Sequence, residues 1–249
     1  MAILYGIHAV TEALHSRSSR IEKICVERGQ KNPRIREIVG LGREKHVRIS
    51  FEERAWLDRK AAGQRHQGVL CYIEEIPAVE VEEILDTTPS PGLLVILDGI
   101  EDPHNLGAIL RSAEVSGAGG VVVPQHRSAG LSATAVKASA GAASHIKVAR
   151  VANTARLVEL LKERGYWIVG LDAESEHPIW EADFLSPTAF VLGNEGEGLH
   201  RLVREKCDFL VSIPVRGKIQ SHNVSVAAGI ALYEALRQRT NPPTKSGKR

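Results

Sequence analysis

The five residues Leu93-Leu-Val-Ile-Leu97 form an unbroken apolar run that stops at Asp98-Gly99. A run this short, with no polar alternation and with turn residues behind it, reads as a strand covered on both faces. Such a strand needs helices above and below it, and the rest of the chain supplies them. Helical spacing runs from Asn105, a candidate cap, to Ser116, followed by a strand over Gly120–Val123. An Ala-rich helix follows over Ser132–Ala143, then a strand over Ile146–Val151. Next come an amphipathic helix over Asn153–Arg164, closed by Gly165, and strands at Tyr166–Leu171, Ala189–Leu192 and Phe209–Ile213. The last helix spans Val224–Arg239. This alternation predicts an α/β fold with a mostly parallel sheet and helices on both faces.

The front of the chain repeats the alternation on a smaller scale. Strands are expected at Ile21–Val26, Val47–Ile49 and Val69–Ile73. Helices are expected from Pro33 to Lys45 and from a Ser50 cap through Trp56 and Leu57, with Glu52 and Glu53 in the first turn. Between front and body, Pro77, Pro89 and Pro91 disfavour regular structure around one short helix at Val81–Leu85. The expected organisation is a domain over residues 1–75, a linker over 76–90, a second domain over 91–240 and a mobile basic tail over 241–249.

Charge divides along the same lines. The whole chain carries a formal net charge of only +2, which taken alone argues against a nucleic-acid binder. Residues 1–75, however, hold 14 Lys/Arg against 10 Asp/Glu, and the tail holds three basic residues and no acid. Residues 76–90 hold four acids and no base, and residues 91–240 are nearly balanced at 15 against 16. Binding to a polyanion would therefore act through the front domain and vary with salt.

Several classes are excluded. No apolar run approaches the roughly 20 residues of a membrane-spanning helix. The first eight residues lack the basic stretch and apolar run of a signal peptide, so a cytoplasmic location is expected. Cys25, Cys71 and Cys207 are far apart, form no metal spacing and read as inert thiols in a reducing compartment. The ten histidines are scattered, with no pair at ligand spacing, so no metal is expected. There is no GxGxxG, no GxxxxGK[ST], no GxSxG and no HExxH.

Three loops at carboxyl ends of strands, where open parallel sheets bind ligands, stand out. The first runs from Asp98 into the helix that carries Asn105 and Arg111. A guanidinium there could reach an anion near the helix start, or Asn105 could be a plain cap and Arg111 a surface residue. The second is Leu192-Gly193-Asn-Glu195-Gly-Glu-Gly198, whose three glycines allow close backbone approach to a ligand or neighbour, and in which the Glu195 carboxylate needs a partner. The third, from Ile213 to Ser225, places Ser221 and Asn223 just before the last helix, where at least one of them is a cap.

Together the three loops resemble the motifs of the SpoU (TrmH-like) branch of the SPOUT RNA methyltransferases. These are Asn105-Leu-Gly107 through Arg111, Leu192 through Leu199, and Ile213-Pro214 with Ser221 through Gly229. Tyr5 through Leu14 and His66-Gln-Gly-Val69 resemble the family's small substrate-binding domain. The resemblance covers nearly the whole chain except the tail. It implies a trefoil knot in the second domain, S-adenosylmethionine as cofactor and a homodimer with active sites at the subunit interface. It implies methylation of a ribose 2′-hydroxyl in RNA, and the front domain points to a guanosine of 23S rRNA, free or in an assembling ribosomal particle. By the same resemblance, Arg111, Asn105, Glu195, Ser221 and Asn223 serve catalysis, and Leu192, Gly193, Gly198, Ile213, Ser221 and His222 contact the cofactor. A tRNA ribose methyltransferase and a weakly catalytic RNA-binding protein are the alternatives.

One position departs from the family pattern, which has Leu between the Ser and Asn of the third motif where this chain has His222. If that side chain lines the adenine pocket, an apolar contact has become a titratable one, and donor affinity is expected to vary with pH near neutrality. Calorimetric titration from about pH 5.5 to 8 checks this, and a constant affinity across that range would refute it.

Overall fold

The Leu93 run becomes β5 (Leu93–Asp98), all six residues buried, in the interior of a six-stranded parallel sheet. The computed structural model describes residues 2–15, 21–73, 78–126 and 128–241. Pro77 and the tail beyond Asn241 lie outside the described residues. By internal contacts the chain forms two compact units, Met1–Ile76 with Leu131–Lys137, and Pro77–Gly130 with Ala138–Arg249.

In the larger unit, β5 is followed by α5 (Pro103–Val115), β6 (Gly120–Pro124), β7 (Lys147–Val151) and α7 (Thr154–Glu163). Then come β8 (Trp167–Leu171), β9 (Thr188–Gly193), α8 (Arg201–Lys206), β10 (Phe209–Val211) and α9 (Val224–Thr240), with α4 (Val81–Thr87) ahead of β5. The strand order is β10-β8-β9-β5-β6-β7, parallel throughout. From β5 the chain steps outward to β6 and β7, then crosses to β8 and returns to insert β9 beside β5. The order reverses between β9 and β5, so the loops beyond Asp98 and Gly193 open side by side.

Both faces of this sheet are covered. Leu94, Ile96, Val122, Ile168 and Val191 pack with Ile84 of α4, Leu157, Val158 and Leu161 of α7 and Val203 of α8. The alternate residues Leu93, Val95, Val121, Val148 and Phe190 are equally buried, on the side where α5 packs against α9 and the two lie against β6 and β9. Burying a Leu or Val side chain is worth about 1.5–3 kcal/mol, so this core is what offsets the chain entropy.

In the smaller unit, β1 (Ala2–Tyr5), β2 (Ile21–Glu27), β3 (Arg48–Glu52) and β4 (Val69–Ile73) form a mixed sheet ordered β1-β4-β2-β3. Helices α1 (Ile7–His15) and α2 (Pro33–Glu44) cover one face over Ile24, Val26, Val69 and Cys71. The short α3 (Arg54–Ala61) partly covers the other, through Leu57 and Ala61.

The structure corrects several local expectations. β3 runs on to Glu52, so Ser50 sits in a strand and caps nothing; Glu53 opens α3 without a side-chain cap. Pairing with β2, from Lys23↔Arg48 to Glu27↔Glu52, outweighs the capping signal. The Ala-rich segment forms only α6 (Ala133–Ala138) and a 3-10 turn at Ala142–Ser144, because Ala140 and Gly141 adopt positive φ. β1, α1 and α8 have no sequence counterpart above. The three cysteines are free, and burial pushes the thiols of Cys71 and Cys207 up to about 12, which leaves them protonated and inert at neutral pH.

The end of α9 is a staple that periodicity does not reveal. Arg239 donates to the carbonyls of Phe184 (2.9 Å), Pro91 (2.9 Å), Gly92 (3.1 Å) and Ser186 (3.0 Å). The buried Gln238 accepts from Phe184 N and donates to Ala182 O, both at 2.9 Å. Together they tie the segment before β9, and the entry to β5, onto α9. Arg239→Ala is expected to cost about 2 kcal/mol, read as a lower urea midpoint, with Arg239→Lys recovering only part because an ammonium cannot span four carbonyls.

Candidate active site

The reversal between β9 and β5 is closed by backbone contact. A Cβ on Gly193 would overlap Gly198 C and O and Leu199 N, so only glycine lets the chain pass back at this point. Asn194 and Gly198 exchange backbone hydrogen bonds of 3.0 and 2.9 Å, and Gly198 takes a φ of +69°. The Asn194 side chain accepts from Gly196 N (2.8 Å) and donates to Gly99 O (3.0 Å), tying this turn to the loop after β5.

Asp98 holds the same junction from the other side. Its carboxylate is buried at the end of β5 and accepts from His200 N (2.8 Å), with His200 Nδ1 at 3.0 Å from the same oxygen. A buried carboxylate without such donors would cost several kcal/mol. Sequence reasoning assigned Asp98, Asn194 and His200 no role; an acid ending an apolar strand was the available signal for the first.

Three of the sequence-selected residues meet. Glu195 Oε1 accepts from Asn105 Nδ2 (3.1 Å), Asn223 Nδ2 (2.5 Å) and Val224 N (3.2 Å), the last at the amino end of α9. Asn223 Nδ2 also lies 3.0 Å from Asn105 Oδ1. Asn223 Oδ1 meanwhile caps α9, accepting from Ser225 N (3.0 Å), Ser225 Oγ (2.6 Å) and Val226 N (3.4 Å). One amide thus caps the helix with its oxygen and orients the carboxylate with its nitrogen. The positive end of α9 supplies the partner that Glu195 needed.

Asn105 is not a cap. α5 begins two residues earlier, at Pro103, with Asp102 as its cap accepting from His104 N at 2.9 Å. Arg111 does not join the cluster either. It is exposed and makes no ion pair or side-chain hydrogen bond among the described residues. Six residues along a helix is about 240° of rotation, so Arg111 and Asn105 look in different directions.

A cleft of about 330 Å³ opens beside this cluster, lined by Leu192, Gly193, Glu195, Gly198, Leu199, Ile213, Ser221 and His222 among others. Of its charged groups, Asp172 is held by Arg204 (2.7 Å) and Glu195 by the cluster, which leaves Glu174 and Glu197 facing the opening. Apolar walls, glycine backbone and an excess of carboxylates over basic groups suit a ligand with a flat apolar part and a positive charge. His222 is exposed on the rim of the cleft. No group of His, Cys, Asp and Glu able to hold a metal occurs among the described residues.

The chain belongs to the SpoU rRNA methylase family, whose model matches residues 92–233. A second family model, described as RNA 2′-O ribose methyltransferase substrate binding, matches residues 3–78. The chain is 42% identical over 244 residues to the 23S rRNA (guanosine-2′-O-)-methyltransferase RlmB of Ralstonia nicotianae, covering 98% of both chains. It is 41% identical to the RlmB of Escherichia coli K12 over 240 residues, covering 96% of this chain and 99% of that one. Among solved structures, it resembles the SpoU methyltransferase AviRb from Streptomyces viridochromogenes in complex with the cofactor AdoMet. The TM-score is 0.64 at 26% identity, over 96% of this chain and 90% of that one.

Gly193→Ala is expected to force the two backbones apart and to cost about 3 kcal/mol, at the upper end of overpacking penalties. A urea midpoint equal to that of the wild type would show that the contact is not constraining.

Proposed function

We infer that the chain is an S-adenosylmethionine-dependent methyltransferase acting on the ribose 2′-hydroxyl of a guanosine in 23S rRNA. The observation that carries this reading is the convergence of Asn105, Glu195 and Asn223 beside a glycine-walled cleft, in a chain over 40% identical to RlmB enzymes along nearly its whole length. The front domain, residues 1–75, grips RNA, and residues 91–240 carry out methyl transfer.

S-adenosylmethionine supplies a methyl group on a sulfonium centre. Leu192, Gly193, Gly198, Ile213, Ser221 and His222 hold it, with backbone approach at the glycines. The protein's tasks are to place the 2′-oxygen in line, to exclude water and to help the hydroxyl lose its proton. An arginine is a poor base, its reference pKa lying above about 12. Arg111 therefore binds the neighbouring phosphate and stabilises the developing alkoxide. Asn105, Glu195, Ser221 and Asn223 position the ribose and the loop that carries them.

Arg111 stands apart from the cluster of its own chain, so the site is completed by a second copy in a homodimer. The exposed apolar residues Trp180, Val226 and Tyr233, the latter two on α9, support such a covered face. The family fold further implies that the chain from β10 to α9 is threaded as a trefoil knot. We place the enzyme in the cytoplasm, acting on free rRNA or an assembling particle; no helix among the described residues is long and apolar enough to cross a membrane.

Arg111→Ala is expected to abolish methyl transfer to rRNA while leaving S-adenosylmethionine affinity nearly intact by calorimetry. Wild-type-like turnover in that variant would remove Arg111 from the mechanism. Mapping 2′-O-methyl groups in rRNA and tRNA with and without the protein tests the substrate.

A further inference from the structure

The smaller unit holds a cleft of about 320 Å³ between α2 and the outer edge of its sheet, lined by Phe51, Arg36, Gly40, Arg43, Gln30 and Glu27, among others. Phe51 lies on the edge strand β3 and is 46% exposed. Its neighbour in register, Val26, belongs to the core packed under α1 and α2, to which Phe51 does not contribute. An exposed aromatic ring at the wall of a groove offers a flat face on which a planar group can stack.

The helix facing it departs from stability rules in the same direction. Its first turn has no acid and instead carries Arg34 and Arg36, adding positive charge at the positive end of the helix dipole. Arg36 and Arg43 are seven residues apart, hence on one face and about 10 Å apart along the axis. Between them Gly40 leaves the groove open although a Cβ there would meet nothing within 4 Å. Glycine inside a helix costs about 1 kcal/mol relative to alanine. Arg43 has no ion-pair partner among the described residues, and Arg36 reaches only the carbonyl of Lys31 (3.2 Å). The acid in the cleft, Glu27, is engaged by Arg54 (3.6 Å) and Gln30 (3.4 Å).

We propose that this cleft is a nucleotide subsite: one unpaired base of the RNA substrate stacks on Phe51 while its flanking phosphates lie against Arg36 and Arg43. The proposal rests on RNA being the substrate. Aromatic stacking is open only to a base outside a duplex, and two guanidinium groups without an acidic partner on one helix face match a strand of phosphates. A second copy of the chain is disfavoured as occupant, because it would bring like charges together.

The test uses the full-length enzyme and three variants, Phe51→Ala, Phe51→Trp and Arg43→Gln, with thermal unfolding as a check on folding. Affinity is measured by fluorescence anisotropy for a short labelled single-stranded RNA and for its blunt duplex, across a range of salt. Methyl transfer to 23S rRNA transcript is followed in parallel. Phe51→Ala is expected to weaken single-strand binding about tenfold and raise KM for rRNA similarly, with kcat and S-adenosylmethionine affinity unchanged. Phe51→Trp should restore binding, and Arg43→Gln should lower the salt slope by about one. Wild-type affinity in both Phe51→Ala and Arg43→Gln would overturn the subsite, as would equal loss for duplex and single strand, failure of Phe51→Trp to restore, or a change of oligomeric state in Phe51→Ala. Absence of methyl transfer by the wild type would instead overturn the parent reading, while the affinity comparison still decides the subsite.

Discussion

No side chain fits at Gly193, and much of the site follows from that contact. The end of β9 touches the returning chain at Gly198 and Leu199. Asn194 then ties the turn to Gly99, and Asp98 ties it to His200. These links hold the loop after β9 against the loop after β5 at the point where the strand order reverses. Glu195 is thereby carried to the amino end of α9, where Asn105 and Asn223 reach it. The cleft owes its backbone-rich walls to the same glycines.

The carboxylate of Glu195 shows how fold and function share one set of atoms. It accepts three hydrogen bonds on one oxygen, one of them from the first residue of α9. The helix start and the polar cluster are therefore a single construction. At the far end of α9, Arg239 and Gln238 anchor the segment that leads into β9. Helix α9 thus fixes both the entry to β9 and the loop beyond it, which makes it a rigid support for a site built largely on loops.

The two units differ in charge. The body is nearly neutral, and its cleft presents carboxylates suited to a cationic donor rather than to phosphate. The front carries surplus positive charge, part of it placed where it opposes helix stability in the first turn of α2.

The sheet itself was legible in the chain. The apolar run at Leu93–Leu97, the amphipathic helix closed by Gly165 and the glycine-dense turn after Leu192 all carry their physics locally. Local signals failed where pairing competed with them: Ser50 and Glu52 read as a helix start but went into β3 beside β2. They failed also at Asn105, which reads as a cap until Asp102 is seen to hold that place. The sequence by itself determined the alternation of strands and helices through the larger unit and which loops carry polar residues, because period and turns depend on neighbours a few residues away. Only the tertiary structure decided that Asn105, Glu195 and Asn223 meet, that Asp98 holds His200, and that Arg111 stands apart. Those contacts join residues 28 to 118 positions apart, and their geometry exists only once the strand order has reversed.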